Sequence, residues 1–253
     1  MTAAADGGGR VGERSSFHIN CGGKEVSLDG NKYEGDDGDP GVPSKFYRSA
    51  TNWAFSSTGN FIDDGHSLDP FISTNSSRLY VNNSDLYMDA RISPISLTYY
   101  GSCLVKGNYN ITLYFAEIMF NDSKSYGRLG RRIFDIYIQG KLVQKDFNIV
   151  DEAGGIGKEI KKNYTEVVTD GTLEIRLYWA GKGTTGLPIR GVYGPLISAI
   201  SVDNPDYKPP PKGISAGTVV GIVAAAVFVV ILLLGILWWR GFLIRKDTMD
   251  KGV

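Results

Sequence analysis

Histidine and cysteine are scarce in this chain: 253 residues hold only His18, His66, Cys21 and Cys103. With no CxxC pair among them, a zinc-ligand set is missing and no metal is expected. An excess of charge is also lacking, since Lys plus Arg equals Asp plus Glu at 27 each. No net field therefore points to nucleic acid or another polyanion. Helix-period patterning is thin before residue 213, and no P-loop, GxSxG elbow or HExxH occurs. Asp146-Phe147-Asn148 copies a kinase Asp-Phe-Gly only superficially, and Gly181 to Gly186 reads as a loop without phosphate-binding context. These absences leave no catalytic constellation and call for no cofactor. Residues 1–16 are polar and glycine-rich, without the apolar run of a secretory leader, and are expected to be disordered. Either the late apolar segment exports what precedes it, or the chain is a fragment, which is the favoured reading.

What is present is glycine, 32 residues, and tyrosine, 14 residues. Glycine turns between aromatic strands suggest a β-sandwich or barrel. Tyr109, Ile111, Leu113 and Phe115 alternate with Asn110 and Thr112, as a half-buried strand requires. Phe134, Ile136 and Ile138 alternate similarly, and Gln139-Gly140 turns the chain toward Leu142 and Val143. A second hairpin is expected from Tyr164–Val168 through Asp170-Gly171 to Leu173, Ile175, Leu177 and Trp179. A last strand is read from Leu196 to Val202. The fold class is thus all-β, an antiparallel sandwich starting at Phe17. It ends in a stiff polyproline spacer over residues 204–213 that carries Pro205, Pro209, Pro210 and Pro211.

No charge interrupts Gly213 to Trp239, and a bilayer core of ~30 Å needs about 20 apolar residues. A single transmembrane helix is expected over 214–239. Trp238 and Trp239 then serve as interfacial anchors, and Arg240, Arg245 and Lys246 stand in a cytoplasmic stub, 240–253. Gly213, Gly217, Gly221 and Ala225 recur every fourth residue, a small-residue face suited to helix pairing or simply ordinary membrane-helix glycine. The N-terminal domain then lies outside the plasma membrane. Five N-x-S/T sequons, at Asn75, Asn82, Asn110, Asn121 and Asn163, agree with an exported, glycosylated domain. In that setting Cys21 and Cys103 either form one disulfide, contributing roughly 4 kcal/mol, or remain buried thiols. The even count favours the bridge.

Acidic clusters carry little. Asp36, Asp37 and Asp39 lack the glutamate of an EF-hand and read as a solvated loop. Asp63-Asp64 would point to opposite strand faces, and His66 beside them reads as a loop residue. Candidate ligand contacts are the aromatics Tyr47, Trp53, Phe55, Tyr99 and Tyr100, which are either core or sugar-stacking surfaces.

Several motifs in order resemble a known family. They are Ile19-Asn20-Cys21-Gly22-Gly23, Asn52-Trp53 with Ser56-Ser57-Thr58-Gly59, Asp63-Asp64, and Tyr99-Tyr100-Gly101 before Cys103. Gly107-Asn108-Tyr109, Phe115 to Phe120 and Arg132 to Gly140 continue the series. Over residues 17–203 the chain resembles the malectin domains of plant leucine-rich-repeat receptor-like serine/threonine kinases. The resemblance implies a jelly-roll-like sandwich in a non-catalytic cell-surface receptor ectodomain, the repeats and kinase of such receptors being absent here. It implies an oligosaccharide ligand or, alternatively, protein–protein pairing with other membrane receptors. Animal malectin binds glucose-bearing glycans through aromatics and an aspartate. On this chain its aromatic pair becomes Met119-Phe120, which adds Phe120 to the candidates, while an upstream tyrosine falls on Ile92 and the aspartate near Gly194.

Overall fold

Strands form where apolar side chains alternate, and the computed structural model assembles them into three sheets. It describes residues 14–38, 44–61, 71–75, 84–120, 130–187, 193–208 and 216–249. The chain divides into two units, Met1–Tyr207 and Lys208–Val253.

In the first unit, β1 (Ser16–Asn20), β2 (Val26–Leu28), β3 (Asn31–Gly35), β9 (Gly107–Ala116), β12 (Glu159–Val168) and β15 (Ala199–Asp203) form one sheet, ordered β12-β9-β15-β1-β3-β2. A second sheet contains β4 (Lys45–Arg48), β5 (Trp53–Thr58), β8 (Ser96–Gly101), β10 (Phe134–Ile138), β11 (Lys141–Phe147) and β13 (Leu173–Tyr178), ordered β11-β10-β13-β8-β5-β4. A small third sheet joins β6 (Ile72–Thr74), β7 (Asp89–Ile92) and β14 (Leu196–Ile197). Among the described strands only β1 and β3 run parallel.

The expected all-β class is met. On β9 the odd positions Tyr109 to Phe115 enter the core, and they meet Phe55, Leu97, Phe134, Ile136 and Ile175 of the second sheet. Each such apolar side chain, fully buried, contributes roughly 1.5–3 kcal/mol. The short α1 (Ile149–Ala153) starts where Asn148 accepts from the Val150 and Asp151 N–H groups, and ends at Gly154 in the left-handed region. Phe147 lies in the core and Asn148 caps this helix, which gives the kinase-like tripeptide a structural use.

Four expectations change. The hairpin at Asp170-Gly171 does not form, because β12 pairs with β9 while β13 pairs with β8 and β10. Val168 and Leu173 are both buried, in strands that belong to opposite sheets, so the connection is a corner between layers. There the Asp170 carboxylate accepts from the Thr172 N–H and hydroxyl, and Leu104 N–H donates to the Gly171 carbonyl. The last strand breaks at Ser198, which sends β14 to the small sheet and β15 to the first. The disulfide is absent. Cys103 accepts at its carbonyl from the Arg14 N–H, at one end of the segment leading into β1, whereas buried Cys21 follows the other end. Seven residues at about 3.3 Å each hold them roughly 20 Å apart, while a bridge needs Cα atoms within about 7 Å. The contacts of Arg14 and the strand position of Ser16 also shorten the segment expected to be disordered, whose residues 1–13 lie outside the described ones.

In the second unit α2 (Ala216–Met249) continues past the expected end of the membrane segment. Its stretch Val220–Trp238 is long and apolar enough to cross a bilayer, with side chains exposed throughout. Gly221 and Ala225 lie on that exposed helix, Gly217 is in its first turns, and Gly213 falls outside the described residues.

Candidate binding site

The turn after β1 packs its backbone directly against β7 of the third sheet. Gly22 has φ +78°, and a Cβ there would stand 2.8 Å from the Ala90 carbonyl carbon on β7. Only glycine lets the first and third sheets touch at this point. Beside the contact opens a cleft of about 660 Å³, walled by the Asn20–Val26 turn on one side and by β6, Met88 and Asp89 on the other. Among the described residues its apolar lining is Val26, Ile72 and Met88, and its carboxylates are Glu25, Asp37, Asp85 and Asp89 against the ammonium of Lys24. The Asp89 carboxylate accepts from the Thr74 hydroxyl at 2.7 Å, and Glu25 pairs with Lys32 at 2.9 Å. Asn20 is buried, and its Nδ2 donates to the Lys24 carbonyl at 2.8 Å, which fixes the turn. Its Oδ1 is buried without a hydrogen-bond partner.

Behind the cleft lies an ion pair that joins all three sheets. Asp36 follows β3, Arg91 is on β7 and Tyr99 on β8, and Arg91 and Asp36 are 2% and 1% exposed at their side chains. Arg91 donates through Nε and Nη2 to the Asp36 carboxylate, the Nη2–Oδ1 distance being 2.9 Å, and stacks 4.3 Å over the Phe55 ring. The Tyr99 hydroxyl donates to Asp36 Oδ2 at 2.6 Å, and the Asp36 N–H donates to the Asn20 and Gly23 carbonyls. Burial pushes the Asp36 carboxyl up, opposed by the adjacent Arg91. Burial also pushes the Tyr99 hydroxyl and the Cys21 thiol well up, which keeps both neutral. Asp36 is therefore a buried structural anion, not the solvated loop acid expected from its neighbours. Asp37 is exposed and lines the cleft, and Asp39, Asp63, Asp64 and His66 lie outside the described residues.

Of the candidate aromatics, Trp53, Phe55, Tyr99 and Phe120 are buried. A ring without an open face cannot stack on a sugar, so these four serve the fold. Tyr47, Trp53, Phe55 and Tyr99 do form one cluster, with centroids 5.6 to 6.4 Å apart, packed across β4, β5 and β8. Tyr47 is its exposed member, and Tyr100 is half-buried near Ser56. Phe120 sits elsewhere, beneath Arg132. The fully buried Arg132 pairs with Glu117 at 2.7 Å, donates to the Gly194 carbonyl at 2.8 Å and reaches the Met119 sulfur at 3.3 Å. Positions aligned with the animal sugar site thus converge around a buried guanidinium, with Ile92 in the core.

The cleft residues Lys24, Glu25, Asp85, Met88 and Asp89 were not anticipated from sequence, nor were the two ion pairs. Asp36 and Arg91 are separated by 55 residues and carry no local signal. Among the described residues no His, Cys, Asp and Glu group could hold a metal. Asn110 and Asn163 are exposed and Asn75 is half-buried, whereas Asn82 and Asn121 lie outside the described residues.

The malectin domain family profile matches residues 15–200. A probable leucine-rich repeat receptor-like serine/threonine-protein kinase of Arabidopsis thaliana is 54% identical over 252 residues, covering 93% of this chain and 24% of that protein. A second probable LRR receptor-like kinase of the same plant is 50% identical over 239 residues, covering 94% of this chain and 25% of its own length. The chain therefore spans about a quarter of the curated relatives it matches. Among solved structures, the ANXUR1 extracellular domain of Arabidopsis thaliana aligns with a TM-score of 0.49 at 16% identity, covering 74% of this chain and 47% of that one.

Proposed function

The chain belongs to the malectin domain family, and from that premise we propose a non-catalytic, membrane-anchored receptor module that binds oligosaccharide in the cleft beside Gly22. The observation that carries the reading is the cleft itself, an apolar floor of Val26, Ile72 and Met88 under a rim of carboxylates. Sugars lay an apolar ring face on such a floor and donate their hydroxyls to acceptors on the rim. The ion pair behind the cleft holds its walls at fixed separation, so little ordering cost is added on binding. Val220–Trp238 spans the plasma membrane in this reading, with the β-domain outside and the C-terminus in the cytoplasm.

The test fills the cleft. Thr74 is exposed on its wall, so Thr74→Trp places a large ring in the ligand volume without disturbing the core. Calorimetry with plant cell-wall and N-glycan oligosaccharides should register binding to the native chain and none to this variant, at unchanged thermal unfolding. Equal binding by both proteins would show that the sugar does not occupy the cleft.

A second reading is pairing with another membrane receptor. Its support is Phe46, 66% exposed between Lys45 and Tyr47 on β4, an edge strand of the second sheet among the described residues. An exposed aromatic on an edge strand suits strand addition by a partner. The small-residue face of α2, with Gly217, Gly221 and Ala225, offers a companion contact within the bilayer. Phe46→Asp should then weaken receptor pairing in an energy-transfer assay while leaving oligosaccharide binding intact.

A further inference from the structure

β12 is an edge strand of the first sheet among the described residues, and all ten of its residues pair with β9. Two of the sequons, Asn110-Ile111-Thr112 and Asn163-Tyr164-Thr165, lie on these neighbouring strands. The antiparallel register sets Asn163 opposite Thr112 and Thr165 opposite Asn110. Each acceptor asparagine thus stands beside the hydroxyl residue of the other motif, a reciprocal arrangement that linear sequence does not reveal. Both point outward, because Ile111 between them faces the core, and both asparagines are exposed. The Thr112 hydroxyl donates to Asn163 Oδ1 at 2.9 Å. A carbonyl oxygen held in this way leaves the amide nitrogen as the atom that carries a substituent. A groove of about 310 Å³ runs between the motifs.

The edge itself needs cover. Lys161, Asn163, Thr165 and Val167 form the outward row of β12, with Val167 52% exposed. Lys161 is the single charge among these four, since Lys162 and Glu166 lie on the other face and pair with Glu152 and Lys141, so the row is weakly protected against pairing with a foreign strand. Diagonal cross-strand positions such as Asn110 and Asn163 lie roughly 7–8 Å apart, enough for two sugar stems side by side.

We propose that Asn110 and Asn163 form a paired N-glycan site on the outward face of β9 and β12, whose sugars keep the β12 edge from pairing with another strand. In the transfer, each amide Nδ2 attacks C1 of an oligosaccharide borne on a lipid pyrophosphate. The N–C1 bond forms as the C1–O bond breaks, the lipid pyrophosphate departs, and the displaced amide proton passes to water. Ladder hydrogen bonds hold both motifs extended in the folded domain, so transfer precedes closure of the strand pair. The proposal rests on the outward topology given above, though not on the cleft.

The test uses the full chain expressed in plant cells and labelled by a membrane-impermeant biotin reagent. The labelled protein is deglycosylated in heavy-oxygen water and mapped by peptide mass spectrometry. The expected result is heavy-oxygen aspartate at both 110 and 163 in most molecules. Surface labelling with either site unmarked overturns the paired site alone, whereas absence of surface labelling overturns the topology and the proposal with it. Size exclusion in detergent then compares two forms that lack both sequons of the pair, Asn110→Gln with Asn163→Gln, and Thr112→Ala with Thr165→Ala. Both should shift to larger species relative to the native chain. Unshifted elution of both overturns the protective role.

Discussion

Replacing Arg91 by methionine should be among the most damaging single changes in the domain. Methionine fills much of the same volume over the Phe55 ring but removes every donor that Arg91 directs at Asp36. The Asp36 carboxylate, 1% exposed, then keeps only the Tyr99 hydroxyl and the Gly22 N–H as partners. Removing one member of a buried ion pair costs about 3–5 kcal/mol, and total stability is about 5–15 kcal/mol. For a domain of this size each kcal/mol lowers Tm by about 2–4 °C, so the loss is roughly 6–20 °C. Thermal unfolding followed by near-ultraviolet circular dichroism measures it. The double variant Asp36→Leu with Arg91→Met removes the orphaned charge and should recover most of the loss, since apolar replacements of buried pairs are often neutral or better. If Arg91→Met unfolds within about 2 °C of the native protein, or the double variant is worse than the single, the pair is not what joins the three sheets.

Native protein should react with one equivalent of maleimide, at exposed Cys103, and with a second only after denaturation exposes Cys21. Two unreactive sulfurs under non-reducing denaturation would mean a bridge. His18 contacts Ser201 and Asp203, and burial lowers its pKa against the pull of Asp203. The unfolded chain therefore binds the imidazole proton first, so stability is full above about pH 6.5 and falls as pH drops below it toward the folded value. His18→Gln should flatten that stretch of the denaturation profile. Gly171 has φ +82°, and a Cβ there would stand 3.3 Å from the Leu104 carbonyl oxygen, so Gly171→Ala should cost about 1–2 kcal/mol in urea unfolding.

Alternation and turn residues made most strands legible, yet like-looking turns did different things. Gln139-Gly140 closes a two-residue hairpin, and so does Asp29-Gly30, which joins β2 to β3 with both residues at positive φ. Asp170-Gly171 carries the same signal but lies in a four-residue link between Val168 and Leu173, and each flanking strand found longer partners elsewhere. Local turn chemistry cannot report which sheet a strand joins. The aromatic candidates failed for a related reason. Trp53, Phe55 and Tyr99 look alike in sequence whether they face the core or solvent, and here sheet packing turned them inward. The cleft and its ion pair depend on residues from three sheets, so no window of sequence contains them. The reciprocal sequons depend on strand register in the same way.

Whether the cleft takes a sugar is the central question for this domain. The most direct measurement is binding of the full chain, held in lipid nanodiscs, to an array of plant cell-wall and N-glycan oligosaccharides. Saturable binding that free sugar competes away, and that Thr74→Trp abolishes, is the predicted result. A folded chain that binds no oligosaccharide on the array would contradict it.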